Sequence, residues 1–317
     1  MGGAYPLRRF TNRRNRRYGL PMATSETRWG TGENAEAIQA WDGPLFDTWL
    51  RFRHIVTTGL GAHGDAALAL VPPQPGQRVL DIGCGLGDTT QQIAGIVGAN
   101  GEAVGVDAAV RFIETARNEA EEAGVQNASF LAADVQTDPI GGPYDMAFSR
   151  MGTMFFISPV AAMRNVCKSL IPGGKLAMVV WRRREDNLWV YRAQQIVEGI
   201  VQKPEEYDEP TCGPGPFSMA GADTTSDILV HSGFTDISLT RCDLELMGGT
   251  TLDEAIDLVM SIGPAGEILR LQGDRAAHLL PQVDAALREG LSEYVRDDGT
   301  VWAPASTWIV TAARPMD

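Results

Sequence analysis

Basic residues are in short supply: 27 lysines and arginines stand against 40 aspartates and glutamates, a formal net charge of −13. A nucleic-acid binder works by neutralising phosphates, so this balance argues against a DNA or RNA partner. Cysteine is scarce too, with four in 317 residues. Cys84, Cys167, Cys212 and Cys242 form no C-x-x-C pair and are too few for a disulfide scaffold. Reduced thiols and a cytoplasmic setting are therefore expected. No apolar run reaches the ~18 residues that would cross a membrane. The H-E-x-x-H, G-x-x-x-x-G-K-[ST] and G-x-S-x-G motifs are all missing, which removes the common metalloprotease, phosphate-loop and serine-hydrolase readings. No acid cluster has the spacing of a metal site, and no repeat of 20 to 50 residues is visible.

Glycine is present where it can act. Val79-Leu80-Asp81-Ile82-Gly83-Cys84-Gly85-Leu86-Gly87-Asp88-Thr89-Thr90 reads as a buried strand, a tight loop and a helix start. Gly83 and Gly85 let backbone approach a ligand, and Gly87 lets the helix pack on the strand. Loop amides and a helix N-terminus aimed at one spot favour an anionic group there. Cys84 inside the loop reads as a small filler rather than a reactive thiol. Ala103-Val104-Gly105-Val106-Asp107 reads as a second buried strand ending in an acid. A carboxylate at such a strand tip can accept hydrogen bonds from both hydroxyls of a ribose. Together these features describe a site for a nucleoside-containing cofactor.

The run Asp81-x-Gly83-x-Gly85-x-Gly87 resembles the first motif of class I S-adenosylmethionine-dependent methyltransferases. Dinucleotide dehydrogenases usually carry G-x-G-x-x-G, and position 88 is aspartate. Ala132-Ala133-Asp134-Val135 resembles the segment that holds the adenine. Tyr144-Asp145-Met146-Ala147-Phe148-Ser149-Arg150 resembles the fourth strand, and Leu170-Ile171-Pro172-Gly173-Gly174-Lys175-Leu176 the turn into the fifth. The resemblance covers roughly residues 76 to 181. It is greatest to the group that includes the ubiquinone/menaquinone C-methylases, the methyltransferase type 11 group. It implies an α/β, Rossmann-like seven-stranded sheet, parallel with one antiparallel strand near the edge. Helices would cover both faces, with a helical cap. It also implies S-adenosyl-L-methionine as cofactor and a small-molecule methyl acceptor, and it leaves room for a homodimer.

Along the chain, residues 1–30 form an arginine-rich stretch without an acid before Glu26. The expectation is a disordered tail, or an upstream extension with initiation at Met22. Residues 31–75 are expected as a helical lid, 76–181 as the cofactor-binding core, and 182–317 as the rest of the core. Cap insertions are expected near 182–221 and 247–304. Asp88 or Thr89 is expected to cap the helix after the glycine loop. The last strand is expected at Thr307 to Ala313, with Gly263-Pro264 interrupting the helices before it.

The residues expected around the cofactor are Asp81, Gly83, Cys84, Gly85, Gly87, Asp107, Ala108, Ala133, Asp134, Val135, Ser149, Arg150 and Met151. Asp134 reads either as an acceptor from the adenine amino group or as a turn cap. Trp41, Phe155, Phe156 and Trp181 are expected at the acceptor, since aromatic faces attract a sulfonium. No residue must act as a base; His54 is a candidate, and tyrosines such as Tyr18 have less support. Three functions follow: methyl transfer to a small, apolar molecule by in-line displacement, nicotinamide-dependent oxidoreduction, or non-catalytic binding of S-adenosylmethionine.

Overall fold

The computed structural model describes residues 34–201 and 214–316. The basic stretch 1–30 lies outside the described residues, as do residues 202–213 of the cap expected near 182–221. Three helices come first: α1 (Ala35–Asp42), α2 (Pro44–Arg51) and α3 (Arg53–Leu70). Pro44 stands at the first turn of α2, where its fixed φ suits helix entry and its missing N–H ends α1.

Strands and helices then alternate: β1 (Arg78–Ile82), α4 (Asp88–Val97), β2 (Glu102–Asp107), α5 (Val110–Glu122), β3 (Ala128–Ala132), β4 (Tyr144–Arg150), α6 (Pro159–Ser169) and β5 (Leu170–Trp181). Next come α7 (Leu188–Ile200), α8 (Ala222–His231) and β6 (Thr235–Gly249). Finally α9 (Leu252–Ile262), α10 (Pro264–Arg270) and α11 (Ala276–Leu291) precede β7 (Val301–Ala313). Among the described residues no helix is long and apolar enough to cross a membrane.

The sheet has the strand order β3-β2-β1-β4-β5-β7-β6. Pairs from β3 to β5 are parallel, and β7 runs antiparallel to both β5 and β6. This is the expected α/β sheet with one antiparallel strand near its edge. Parallel crossovers are right-handed, so the reversal of direction after β3 puts α4 and α5 on one face and α6 on the other. The order reverses between β1 and β4, and the crevice beyond their carboxyl ends is where such sheets hold ligands. Val79, Leu80, Ile82, Ala147, Phe148 and Val179 are wholly buried, so these strands read as near-continuous apolar runs.

Two boundaries differ from the sequence reading. β5 begins at Leu170, which already pairs with Tyr144. The Pro172-Gly173-Gly174 segment leaves the ladder, and pairing resumes at Lys175 against Met146. β7 begins at Val301 rather than Thr307, because β6 runs on to Gly249 and supplies a partner for the earlier residues.

β6 forms one edge of the sheet. Its register against β7 shifts between Thr235 and Ser238 and again between Met247 and Gly249. Asp236, inside the first shift, has φ +53°. Exposed Arg241, Asp243 and Glu245 follow along the strand, with Arg241 paired to Asp243 at 2.6 Å. Helices α7, α9, α10 and α11 bury a smaller core of their own around Val197, Ile256, Val259, Ile268, Val283 and Leu287.

Candidate functional site

The glycine loop leaves β1 with left-handed backbone at Gly83, Gly85 and Gly87, φ +65°, +53° and +80°. Side chains rarely tolerate that conformation. The three glycines have different neighbours. A Cβ on Gly83 would lie 2.8 Å from the Cα of Gly152, so this glycine admits the loop after β4. A Cβ on Gly85 would meet only Phe112, at 3.8 Å, which leaves that side of the loop open. A Cβ on Gly87 would lie 2.7 Å from Phe130 and 2.9 Å from Ala116, so Gly87 seats α4 against β3 and α5. Gly87 is also the residue that caps α4, and neither Asp88 nor Thr89 does so. Asp88 instead accepts from Arg53 of α3 at 2.8 Å.

Asp107 ends β2. Its Oδ2 accepts the N–H of Gly85 at 3.0 Å and its Oδ1 the N–H of Ala109 at 2.9 Å. A carboxylate oxygen can accept twice, so each keeps capacity for a ligand. Burial pushes the Asp107 carboxyl up, and the amides of Ala109 and Gly85 pull it back. Asp134 serves its turn, with Oδ1 accepting the N–H of Gln136 at 3.0 Å. Its Oδ2 takes the side-chain amide of Asn34 at 3.1 Å, which ties the start of α1 to the end of β3. Asp81 is buried in β1 and accepts the Thr90 hydroxyl at 2.6 Å. Burial pushes its carboxyl up to about 7.

These residues open onto a single cavity of about 780 Å³. Asp81, Gly83, Cys84, Gly85, Asp107, Ala108, Ala133, Asp134, Val135, Arg150 and Met151 all line it. So do Trp41, Phe155, Phe156 and Trp181, with the Trp41 ring edge-on to Phe155 at 5.0 Å. Cys84 also packs on β2, where a Cβ at Gly105 would fall 2.8 Å from its sulfur. Burial pushes its thiol well above the ordinary range, as suits a filler.

Three expected residues lie elsewhere: Gly87, which packs α4 against β3 and α5 and does not line the cavity, Ser149 and His54. Ser149 is wholly buried and donates its hydroxyl to the carbonyl of Ile82 at 2.8 Å, stitching β4 to β1. His54 points away from the cavity and meets Glu254 of α9 at 2.7 Å. Sequence reasoning missed the far wall, made by Trp189, Leu246, Met247, Leu258 and Met260. The apolar stripe of α9 was the available signal, but it reads the same for a core face and a cavity face.

His63 of α3, behind Trp181, is buried with Nδ1 3.0 Å from the Thr307 hydroxyl. Burial pulls its pKa down to about 4. The unfolded chain therefore binds a proton that the folded one refuses between about pH 6.5 and 4, and His63 costs stability as pH falls through that window. Asp81 acts oppositely, because its raised pKa favours the folded state as pH falls from about 7 toward 4. The two contributions oppose each other in the wild type, so the readout is the difference between proteins. His63→Gln is expected to gain about 2 kcal/mol relative to wild type between pH 7 and 5, measured by urea unfolding at both pH values. An unchanged difference would show that His63 titrates normally.

A family model described as a methyltransferase domain matches residues 73–215. The chain is 30% identical over 189 residues to nocamycin O-methyltransferase of Saccharothrix syringae, covering 56% of this chain and 66% of that protein. It is 37% identical over 108 residues to aklanonic acid methyltransferase of a Streptomyces species, covering 33% of this chain and 48% of that one. It is 32% identical over 115 residues to the ubiquinone/menaquinone biosynthesis C-methyltransferase of Pseudomonas aeruginosa, with 36% and 45% covered. The matches thus span about half to just under two-thirds of these relatives' lengths. Among solved structures, the YcgJ protein of Bacillus subtilis superposes with a TM-score of 0.52 at 17% identity, covering 81% of this chain and 98% of that one. A putative methyltransferase of Bacillus halodurans superposes with a TM-score of 0.50 at 15% identity, covering 79% and 98%. At that identity the two structures speak for the fold alone.

Proposed function

We propose that this chain, whose residues 73–215 form a methyltransferase domain of the family that takes S-adenosyl-L-methionine as methyl donor, passes that methyl to a small, largely apolar molecule. One observation carries the reading: a single cavity of about 780 Å³ joins the glycine loop and Asp107 to an apolar, aromatic end. That volume lies in the upper part of the ~300–1,000 Å³ range of small-ligand sites, enough for a donor and a second molecule side by side. The open side of Gly85 and the spare acceptor positions of Asp107 fit a nucleoside.

In this reading Asp107 accepts from the ribose hydroxyls. Asp134, with Ala133 and Val135, borders the adenine. Bound there, the donor supplies an electrophilic methyl on a sulfonium. Trp41, Phe155, Phe156 and Trp181 exclude water from the transfer and turn aromatic surface toward the positive sulfur. Alignment of acceptor and methyl for in-line displacement is then the main work of the walls. Helices α1–α3 act as the lid, and α7 with α9–α11 as the cap that selects the acceptor. All of these walls belong to one copy, so the reading needs no dimer. Relatives named for nocamycin, aklanonic acid and ubiquinone/menaquinone support a small-molecule acceptor.

The test is calorimetric titration with S-adenosylhomocysteine beside an NAD control, followed by an acceptor screen with labelled donor. Micromolar binding of S-adenosylhomocysteine without NAD binding is expected. NAD binding alone would move the protein to the oxidoreductases. Filling the far wall should separate the two halves. Leu258→Trp is expected to leave S-adenosylhomocysteine affinity within twofold while weakening an apolar dye such as anilinonaphthalene sulfonate at least fivefold. Equal loss of both ligands would mean that the cavity does not divide this way.

A further inference from the structure

Three arginines line the cavity: Arg53, Arg150 and Arg270. Arg53 is held by Asp88 and Glu119, and Arg270 by Glu267. Arg150, the last residue of β4, differs. Among the described residues its guanidinium makes no hydrogen bond and no ion pair. Three acids act on it from a distance, Asp81, Asp88 and Asp65. Each is engaged elsewhere, with the Thr90 hydroxyl at 2.6 Å, Arg53 at 2.8 Å and the Gln92 amide at 2.7 Å. A guanidinium carries five donors and cannot shed its charge, so one left half-buried without an acceptor calls for an anion.

Space is reserved for the side chain. Gly64 of α3 lies beneath it, where a Cβ would fall 3.0 Å from the Arg150 Cδ and 3.8 Å from its Nη1. Arg150 also stands on the glycine-loop side of the cavity. Its strand pairs with β1 through Asp81 and Phe148, two residues before it. At neutral pH S-adenosylmethionine bears a sulfonium, an ammonium and a single anionic group, the α-carboxylate. A guanidinium would repel the first two and can fork onto the third.

We propose that Arg150 is the clamp for the α-carboxylate of the donor's amino-acid tail, held ready by Gly64 and kept free because every nearby acid already has a partner. The proposal rests on the donor reading above and adds which end of the donor lies against β4. It predicts that affinity for the tail, and for the tail alone, depends on residue 150.

The experiment is a calorimetric comparison of S-adenosylhomocysteine, its decarboxylated analogue S-adenosyl-3-thiopropylamine, and 5′-methylthioadenosine, which lacks the tail. Arg150→Met should weaken S-adenosylhomocysteine about 10- to 100-fold and leave the other two within about twofold. Arg150→Lys, which keeps charge but not the fork, should fall between. Unchanged methylthioadenosine binding also reports a folded pocket. Equal weakening of all three ligands would overturn the clamp and leave Arg150 as a wall residue. Unchanged binding of S-adenosylhomocysteine would overturn it as well, and point the guanidinium at the acceptor. Wild-type protein that binds none of the three would overturn the donor reading and the clamp together.

Discussion

Asp107→Ala is expected to cost at least 100-fold in affinity for S-adenosylhomocysteine, about 2.7 kcal/mol. Two losses add. The ribose hydroxyls lose a charged acceptor, and such hydrogen bonds are worth roughly 1.5–3 kcal/mol. The loop also loses its tie, because the N–H groups of Gly85 and Ala109 both end on this carboxylate. Asp107→Asn keeps one carbonyl oxygen and can hold one of the two amides, so it should lose only about tenfold. Calorimetry on the three proteins gives the ranking. An alanine variant that binds within threefold of wild type would remove Asp107 from the site.

A large effect on stability is expected at Gly87. Valine there places a Cβ 2.7 Å from Phe130 and 2.9 Å from Ala116, both fixed in the packed interior, at φ +80°. Overpacking costs roughly 1–3 kcal/mol and left-handed backbone about 1–2 kcal/mol more. A total near 3 kcal/mol should lower the melting midpoint by about 6–12 °C in a domain of this size. Gly124→Ala is the control, because Gly124 has φ +70° with nothing within 4 Å of its would-be Cβ. It should pay the backbone cost alone, about 1–2 kcal/mol. Equal melting points for the two variants would show that the packing of α4 on β3 and α5 yields easily.

The central strands are legible in the sequence because each is buried on both faces and bounded by glycine or proline. The glycine loop is legible because its φ values leave few alternatives. Within the site, the residues that could be read were those at strand tips, such as Asp107 and Asp134, where the fold itself dictates direction. Ser149 shows the limit. It stands one residue before the end of β4, and strand alternation turned its hydroxyl to the Ile82 carbonyl instead of the cavity. His54 shows another, since its partner Glu254 lies 200 positions further along the chain. The far wall was hidden for the same reason. Leu246, Leu258 and Met260 come to share a cavity with Trp181 only through the course of the chain between them, and an apolar helix face does not say whether protein or ligand will cover it. Arg150 was legible as a position and not as an unpaired charge, because pairing is a property of its neighbours Asp81, Asp88 and Asp65.

The two register shifts of β6 bear on how the protein behaves when crowded. An open strand edge is a template on which another chain can add, and long flat edges seed aggregates. Here the edge is bent at Asp236, bent again before Gly249, and set with Arg241, Asp243 and Glu245 between the bends. A neighbouring strand would find no long flat run of free amides and would have to bury charge to use what remains. The antiparallel strand β7 thus places a guarded strand outermost on its side of the sheet, where a further strand would add poorly.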